Sequence, residues 1–199
     1  MADKPRYYWD ACCWIALIKQ EPDRIDSLRY VIEMAQRGDV EIWTSTFTLA
    51  EVFKRRCGSE NAELPAIDDE AFEDYLEQDF VQRVQVDVDV GTAARRLLRR
   101  FPSIRKPQDA VHVATAVLNG VDEFHTFDGH DLLPLNGQIP AMGGGRLKIC
   151  RPPAAPDPLA GTMFEGMQAP APAIDGNSSD EIADTEDDAT KQQVTKASG

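Results

Sequence analysis

Four cysteines in 199 residues (Cys12, Cys13, Cys57 and Cys150) are too few and too irregularly spaced for a disulfide framework. No two of them form a C-x-x-C pair, and His112, His125 and His130 stand at no zinc-ligand spacing, so the sequence writes no zinc site either. Such cysteine usage fits a reducing cytoplasm. No apolar run approaches the roughly 18 residues of a membrane span. The opening Asp3-Lys4-Pro5-Arg6, followed by a short apolar stretch that Asp10 interrupts, is not the pattern of a signal peptide. A soluble, cytoplasmic chain is therefore expected. Positive charge is also scarce: Lys and Arg number 21 against 34 Asp and Glu, a net charge of −13. That balance excludes a generic basic coat for nucleic acid and leaves room only for a local basic patch. The length suits one domain of ordinary size with a tail, not two domains.

What is present divides into two unlike pieces. Residues 1–150 hold 18 basic and 25 acidic side chains and read as the domain, whereas residues 151–199 hold 3 basic and 9 acidic ones. The first piece alternates strand and helix signals. Arg6-Tyr7-Tyr8-Trp9 is an aromatic run with high strand preference, and the apolar segment after Asp10 continues as a buried helix. The spacing then predicts a helix over 24–37 ending at Gly38, a strand over 40–44, a helix from Thr46 to Arg55 and a helix over 69–79. A strand over 84–86 and a helix over 90–101 follow. Pro107, suited to the first helical position, opens a helix that runs to Leu118. Strands over 123–127 and 147–150 complete the pattern. Alternation of this kind predicts an α/β domain with a mainly parallel sheet of about five strands, covered on both faces. From Arg151 onward a Pro/Ala-rich and then acidic text has only scattered large apolar residues such as Leu159, Met163 and Phe164, too little to offset its ordering entropy, and a disordered tail is expected.

In an open α/β sheet, ligands gather at the carboxyl ends of the strands, near the reversal of strand order. Four acids fall where such a site would collect them, and each also has an ordinary structural reason to be there. Asp10 follows the first strand and suits a helix N-cap; Asp128 follows the 123–127 strand and suits an Asp-Gly turn. Asp109 lies in the first turn of the helix opened by Pro107, where the helix dipole favours it. Glu51 could pair with Arg55 one turn on. Taken as a set, carboxylates drawn to within about 5 Å of each other repel by about 3 kcal/mol per pair at an effective dielectric near 20. A cation has to offset that. Oxygen-only ligands select Mg²⁺ or Mn²⁺ over zinc, and the chemistry suited to such a site is metal-assisted attack of water on a phosphodiester.

Four segments in order, Tyr7-Tyr8-Trp9-Asp10-Ala11, Ser45-Thr46-Phe47-Thr48-Leu49-Ala50-Glu51-Val52, Lys106-Pro107-Gln108-Asp109-Ala110-Val111-His112-Val113-Ala114 and His125-Thr126-Phe127-Asp128, resemble the PIN-domain nucleases, and among them the VapC-type toxins. The resemblance covers about residues 5–150. It implies a three-layer α/β/α fold around five parallel strands and a divalent-metal endoribonuclease site, with Mg²⁺ or Mn²⁺ as cofactor and products carrying 5′-phosphate and 3′-hydroxyl ends. It places the acids on Asp10, Glu51, Asp109 and Asp128, with Asp10, Asp109 and Asp128 as main metal ligands and Glu51 holding a second metal or the attacking water. Helper hydroxyls that orient those acids fall on Ser45 and Thr126. Many members carry a further acid two residues after the fourth; here the gap to Asp131 is three, which leaves Asp131 between an extra ligand and a solvated loop carboxylate. The resemblance also implies a small antitoxin partner and a homodimer.

Arg95, Arg96, Arg99 and Arg100 fall four apart in pairs on one predicted helix, and Lys54-Arg55-Arg56 follows Glu51 closely. Either stretch suits contact with RNA phosphates, or pairing with the chain's own carboxylates. Two rival functions share much of the pattern: a non-catalytic PIN scaffold that binds protein or RNA, and a Mg²⁺-dependent phosphohydrolase of small molecules. A scaffold has no need for four clustered like charges. The phosphohydrolase would normally carry an Asp-x-Asp motif after the first strand, where this chain has Asp10-Ala11-Cys12.

Overall fold

The computed structural model describes residues 4–52 and 66–156. Among them, the strands are β1 (Arg6–Trp9), β2 (Glu41–Ser45), β3 (Val81–Val84), β4 (Glu123–His125) and β5 (Lys148–Cys150), and the helices are α1 (Ala11–Ile18), α2 (Ile25–Gln36), α3 (Thr48–Val52), α4 (Ala66–Leu76), α5 (Val88–Arg100) and α6 (Pro107–Leu118). All five strands run parallel in the order β3-β2-β1-β4-β5. The winding therefore reverses between β1 and β4, so that Asp10 and Asp128, which follow those two strands, are brought to one crevice.

Side-chain alternation along the strands builds two cores. Tyr8, Phe124 and Ile149 point to one face, against Val90 and Ala94 of α5 and Val113 and Ala114 of α6. Trp9, Ile42 and Val81 point to the other, against Trp14 of α1, Leu28 of α2 and Phe72 of α4. Helices thus cover both faces, as the alternating pattern predicted. Below Asp10 the core is rigid: the Trp9 and Trp14 rings meet edge to face at 5.0 Å, and Trp14 meets Phe72 the same way at 5.9 Å. Such pairs add about 0.5–1.5 kcal/mol each beyond their buried area. The indole of Trp14 also satisfies its N–H on the Thr44 hydroxyl at 3.2 Å.

Helix boundaries follow local chemistry. The Asp10 and Asp87 carboxylates accept from the backbone N–H three residues on and open α1 and α5. Pro107 stands at the start of α6. α2 stops at Gly38, whose φ of +79° a side chain would strain, and whose N–H bonds to the Ala35 carbonyl at 2.9 Å. The third strand lies at Val81–Val84 rather than at 84–86, because Ile42 to Ser45 of β2 pair with Val81 to Val84 in register and leave Val86 exposed. β4 ends at His125, two residues short of the expected strand, although Thr126 still donates its N–H to the Cys150 carbonyl. Between β4 and β5 the chain forms two short 3₁₀ turns, Leu133–Leu135 and Met142–Gly144, that the sequence pattern did not signal.

α3 is described to Val52, and Lys54-Arg55-Arg56, with the expected helix end at Arg55, lies outside the described residues. So do Leu159, Met163, Phe164 and the rest of 157–199. Residues 151–156 take no regular structure, yet Pro152 is buried. No helix among the described residues is long and apolar enough to cross a membrane.

Candidate active site

Three carboxylates meet at the carboxyl end of the sheet. Asp109 from the first turn of α6, with Asp128 and Asp131 from the loop after β4, each offer an oxygen within 4.8 Å of the others. The loop is shaped by Asp128 itself: its Oδ1 accepts the N–H groups of His130 and Asp131, both at 2.9 Å, which turns the chain and swings Asp131 inward. Asp131 is 1% exposed, which overturns the solvated-loop alternative for it. Its Oδ1 takes a two-pronged bond from the Arg105 guanidinium. Its Oδ2, like Asp109 Oδ2, is buried with no hydrogen-bond partner among the described residues.

The environment drives these acids apart. Burial lifts the Asp109 carboxyl to about 6; Lys106 opposes that rise, while the charges of Asp128, Asp10 and Asp131 add to it. Burial pushes Asp128 upward too, but the N–H groups of Asp131 and His130 and the charges of Lys106 and His130 outweigh it, and its carboxyl lies below the ordinary value. Lys106 Nζ stands 3.8 Å from Asp128 Oδ2.

Asp10 joins the trio through Thr126. The Thr126 hydroxyl donates to Asp10 Oδ2 at 2.6 Å and accepts the Asp128 N–H at 3.0 Å, so one threonine fixes both strand-end acids. Asp10 Oδ1 meanwhile caps α1 through the Cys13 N–H at 3.2 Å and accepts from the Cys12 thiol at 2.8 Å. The capping role foreseen for Asp10 and its place in the acid group are therefore both present. Glu51 is placed differently. Its Oε2 lies 2.5 Å from His112 Nε2, and His112 follows Asp109 by three residues on the same face of α6. The set expected at close quarters was Asp10, Glu51, Asp109 and Asp128; the tight trio has Asp131 in it, Asp10 is linked to Asp128 through Thr126, and Glu51 bonds His112, one turn along α6 from Asp109. Ser45, expected to orient an acid, instead accepts the Phe47 N–H at 3.0 Å.

A second cluster, Glu123, His125 and Cys150, also brings ligand-type atoms together. The Trp9 indole N–H donates to His125 Nδ1 at 3.2 Å. A neutral imidazole that accepts at Nδ1 carries its hydrogen on Nε2, which donates to Glu123 Oε2 at 3.1 Å. With both ring nitrogens of His125 engaged, this is a hydrogen-bond network; it holds the Glu123 carboxyl down at about 2, through His125 first and against burial, with Lys148 and Cys150 assisting.

Arg95, Arg96, Arg99 and Arg100 are all exposed on α5. Among the described residues none of them forms an ion pair, and Arg100 lies over the Phe101 ring at 5.6 Å. Pairing with the chain's own carboxylates is thus not seen there.

A doubly wound, three-layer α/β/α domain with an acidic group at its strand-order reversal belongs to the class of open sheets that gather ligands in that crevice. The PIN domain family model matches residues 7–131, and the chain belongs to the PIN domain family. No protein of curated function matches it. It is similar to the toxin-antitoxin complex from Klebsiella pneumoniae, at 17% identity and a TM-score of 0.49 over 75% of this chain and 99% of that one. It is also similar to Mycobacterium tuberculosis VapC20, a sarcin-ricin loop cleaving toxin, at 20% identity and a TM-score of 0.48 over 62% of this chain and 90% of that one. DNA-bound VapBC from Salmonella typhimurium is similar at 16% identity and a TM-score of 0.48, over 73% of this chain and 98% of that one.

Proposed function

We propose that the chain is a metal-dependent endoribonuclease, acting as the toxin of a toxin-antitoxin pair. The observation that carries the reading is the trio Asp109, Asp128 and Asp131, with two buried carboxylate oxygens that have no partner among the described residues. A buried acceptor left unpaired costs about 1–3 kcal/mol, more when charged, and a hard divalent cation is the partner that an all-oxygen donor set suits, which favours Mg²⁺ or Mn²⁺. Asp10, Asp109 and Asp128 would hold it, with Asp131 beside them and Glu51 placed to hold a second ion or the attacking water. When bound, the cation lowers the pKa of water and steadies the leaving oxygen of a phosphodiester.

The chain's own residues do the rest. Thr126 keeps Asp10 and Asp128 at fixed separation, so the acids need not reorganise as charge develops. Lys106 and Arg105, exposed at the rim and tied to Asp128 and Asp131, are cations within reach of a phosphate entering the crevice. The unpaired arginines of α5 would extend RNA contact along the backbone. We place the protein in the cytoplasm, as a homodimer silenced by a small antitoxin, with residues 5–150 as the nuclease domain and 151–199 as an acidic tail.

The test joins a melting curve to a cleavage assay. Mg²⁺ or Mn²⁺ is expected to raise the melting temperature of the wild type, and Asp10→Asn to stay folded while losing RNA cleavage. An unchanged midpoint with metal, or full cleavage by Asp10→Asn, overturns the reading.

A further inference from the structure

We infer that His112 is a positioning residue of this site, a buried imidazole that holds Glu51 through Nε2–H and is itself set by the Tyr8 hydroxyl. The inference rests on the ribonuclease reading and adds to it a residue that touches neither substrate nor cation.

Geometry fixes the direction of each bond. His112 is 2% exposed, its Nε2 is 2.5 Å from Glu51 Oε2, and its Nδ1 is 2.8 Å from the oxygen of Tyr8, which is fully buried. A carboxylate only accepts, so in every arrangement that leaves Glu51 ionised the hydrogen sits on Nε2. A lone pair there would face the carboxylate as a second acceptor at contact distance. The Tyr8 hydroxyl then donates to Nδ1. The two bonds run one way, from Tyr8 to His112 to Glu51. Phe47 and Tyr8 flank the ring edge-on at 6.1 and 5.9 Å.

Glu51 needs such a hold. α3 has five residues, and a glutamate side chain turns about three bonds, so the helix alone does not aim the carboxylate. His112 takes Oε2 and leaves Oε1 without a bond among the described residues. His112 is also three residues from Asp109 on α6, so one helix sets the spacing between the acid trio and Glu51.

The experiment uses the full chain and compares His112→Gln, whose amide N–H reaches the place of Nε2, with His112→Asn, whose amide stops near Nδ1, and with His112→Leu. The rate kcat for RNA cleavage should fall by about 10- to 100-fold in His112→Leu and His112→Asn, the range seen when outer-shell partners are removed. KM should change little, and His112→Gln should restore most of kcat. Adding Glu51→Ala to His112→Leu should give almost no further loss, because the two act as one unit. By NMR, the wild type should show a slowly exchanging imidazole Nε2–H that Glu51→Ala abolishes. Wild-type kcat in His112→Leu, a His112→Gln as impaired as His112→Asn at equal melting temperature, or additive losses with Glu51→Ala overturns the inference. So does an Nε2–H signal indifferent to Glu51→Ala. Full cleavage by Asp10→Asn would instead remove the ribonuclease reading, while the NMR comparison still decides whether His112 holds Glu51.

Discussion

Replacing Asp109 with asparagine should stabilise the protein at neutral pH. The Asp109 carboxyl lies at about 6 in the folded chain against an ordinary 3.8, chiefly because it is buried. A carboxyl with a raised folded pKa binds its proton more tightly folded than unfolded, so stability falls as pH rises through the window from about 4 to about 6 and the whole loss is present above it. About two pKa units at 1.36 kcal/mol each make that loss about 3 kcal/mol at pH 7. Asparagine removes it, and also removes a favourable first-turn charge of about 0.3–1 kcal/mol. The net gain is about 2 kcal/mol, or roughly 4–8 °C in melting temperature for a chain of this size. Thermal or urea melts of wild type and Asp109→Asn, from pH 4 to pH 8 with divalent metal chelated, read it directly. The two curves should converge near pH 4 and separate above pH 7, and Mg²⁺ should close the gap by stabilising the wild type alone. If Asp109→Asn is equal to or less stable than wild type at pH 7.5, burial and like charge are not what govern this carboxyl.

Two further outcomes follow from other parts of the fold. Glu123 is held at about 2 against an ordinary 4.5, so its contribution is full above pH 4.5 and is lost as pH falls toward 2; Glu123→Gln should cost up to about 3 kcal/mol at pH 7 by urea melts, with no difference left near pH 2. Replacing Arg95 and Arg99 by alanine should leave the melting temperature unchanged, since both are exposed, and should flatten the plot of log RNA affinity against log salt by roughly 1.4, the share of two phosphate contacts on a single strand.

Where the sequence was legible, a local rule and the tertiary fold asked for the same thing. Asp10 is both the cap of α1 and the acid at the end of a central strand, and Pro107 both opens α6 and puts Asp109 in its first turn, so periodicity and capping located them correctly. β3 was misplaced by three residues because it is an edge strand of mixed polarity, Val81-Gln82-Arg83-Val84, and only its pairing with β2 chooses it over the equally β-branched Val84-Gln85-Val86. Asp131 was undervalued for a related reason. Counting residues from Asp128 put it one position too far, but the turn formed on Asp128 Oδ1 takes up the extra residue and brings Asp131 into the crevice. His112 has the wrong spacing for a zinc ligand, the one role its residue type suggests from sequence. The signal that would have found it is its place three residues after Asp109 on an otherwise apolar face, where a buried imidazole must have two partners. A sequence names no such partners, because Tyr8 and Glu51 lie 104 and 61 residues away and meet His112 only once β1, α3 and α6 have packed. What pattern reading recovered was therefore the acids that end elements. Of the residues that aim those acids, Thr126 was implied by the family resemblance, whereas His112 is visible only through contacts distant in the chain.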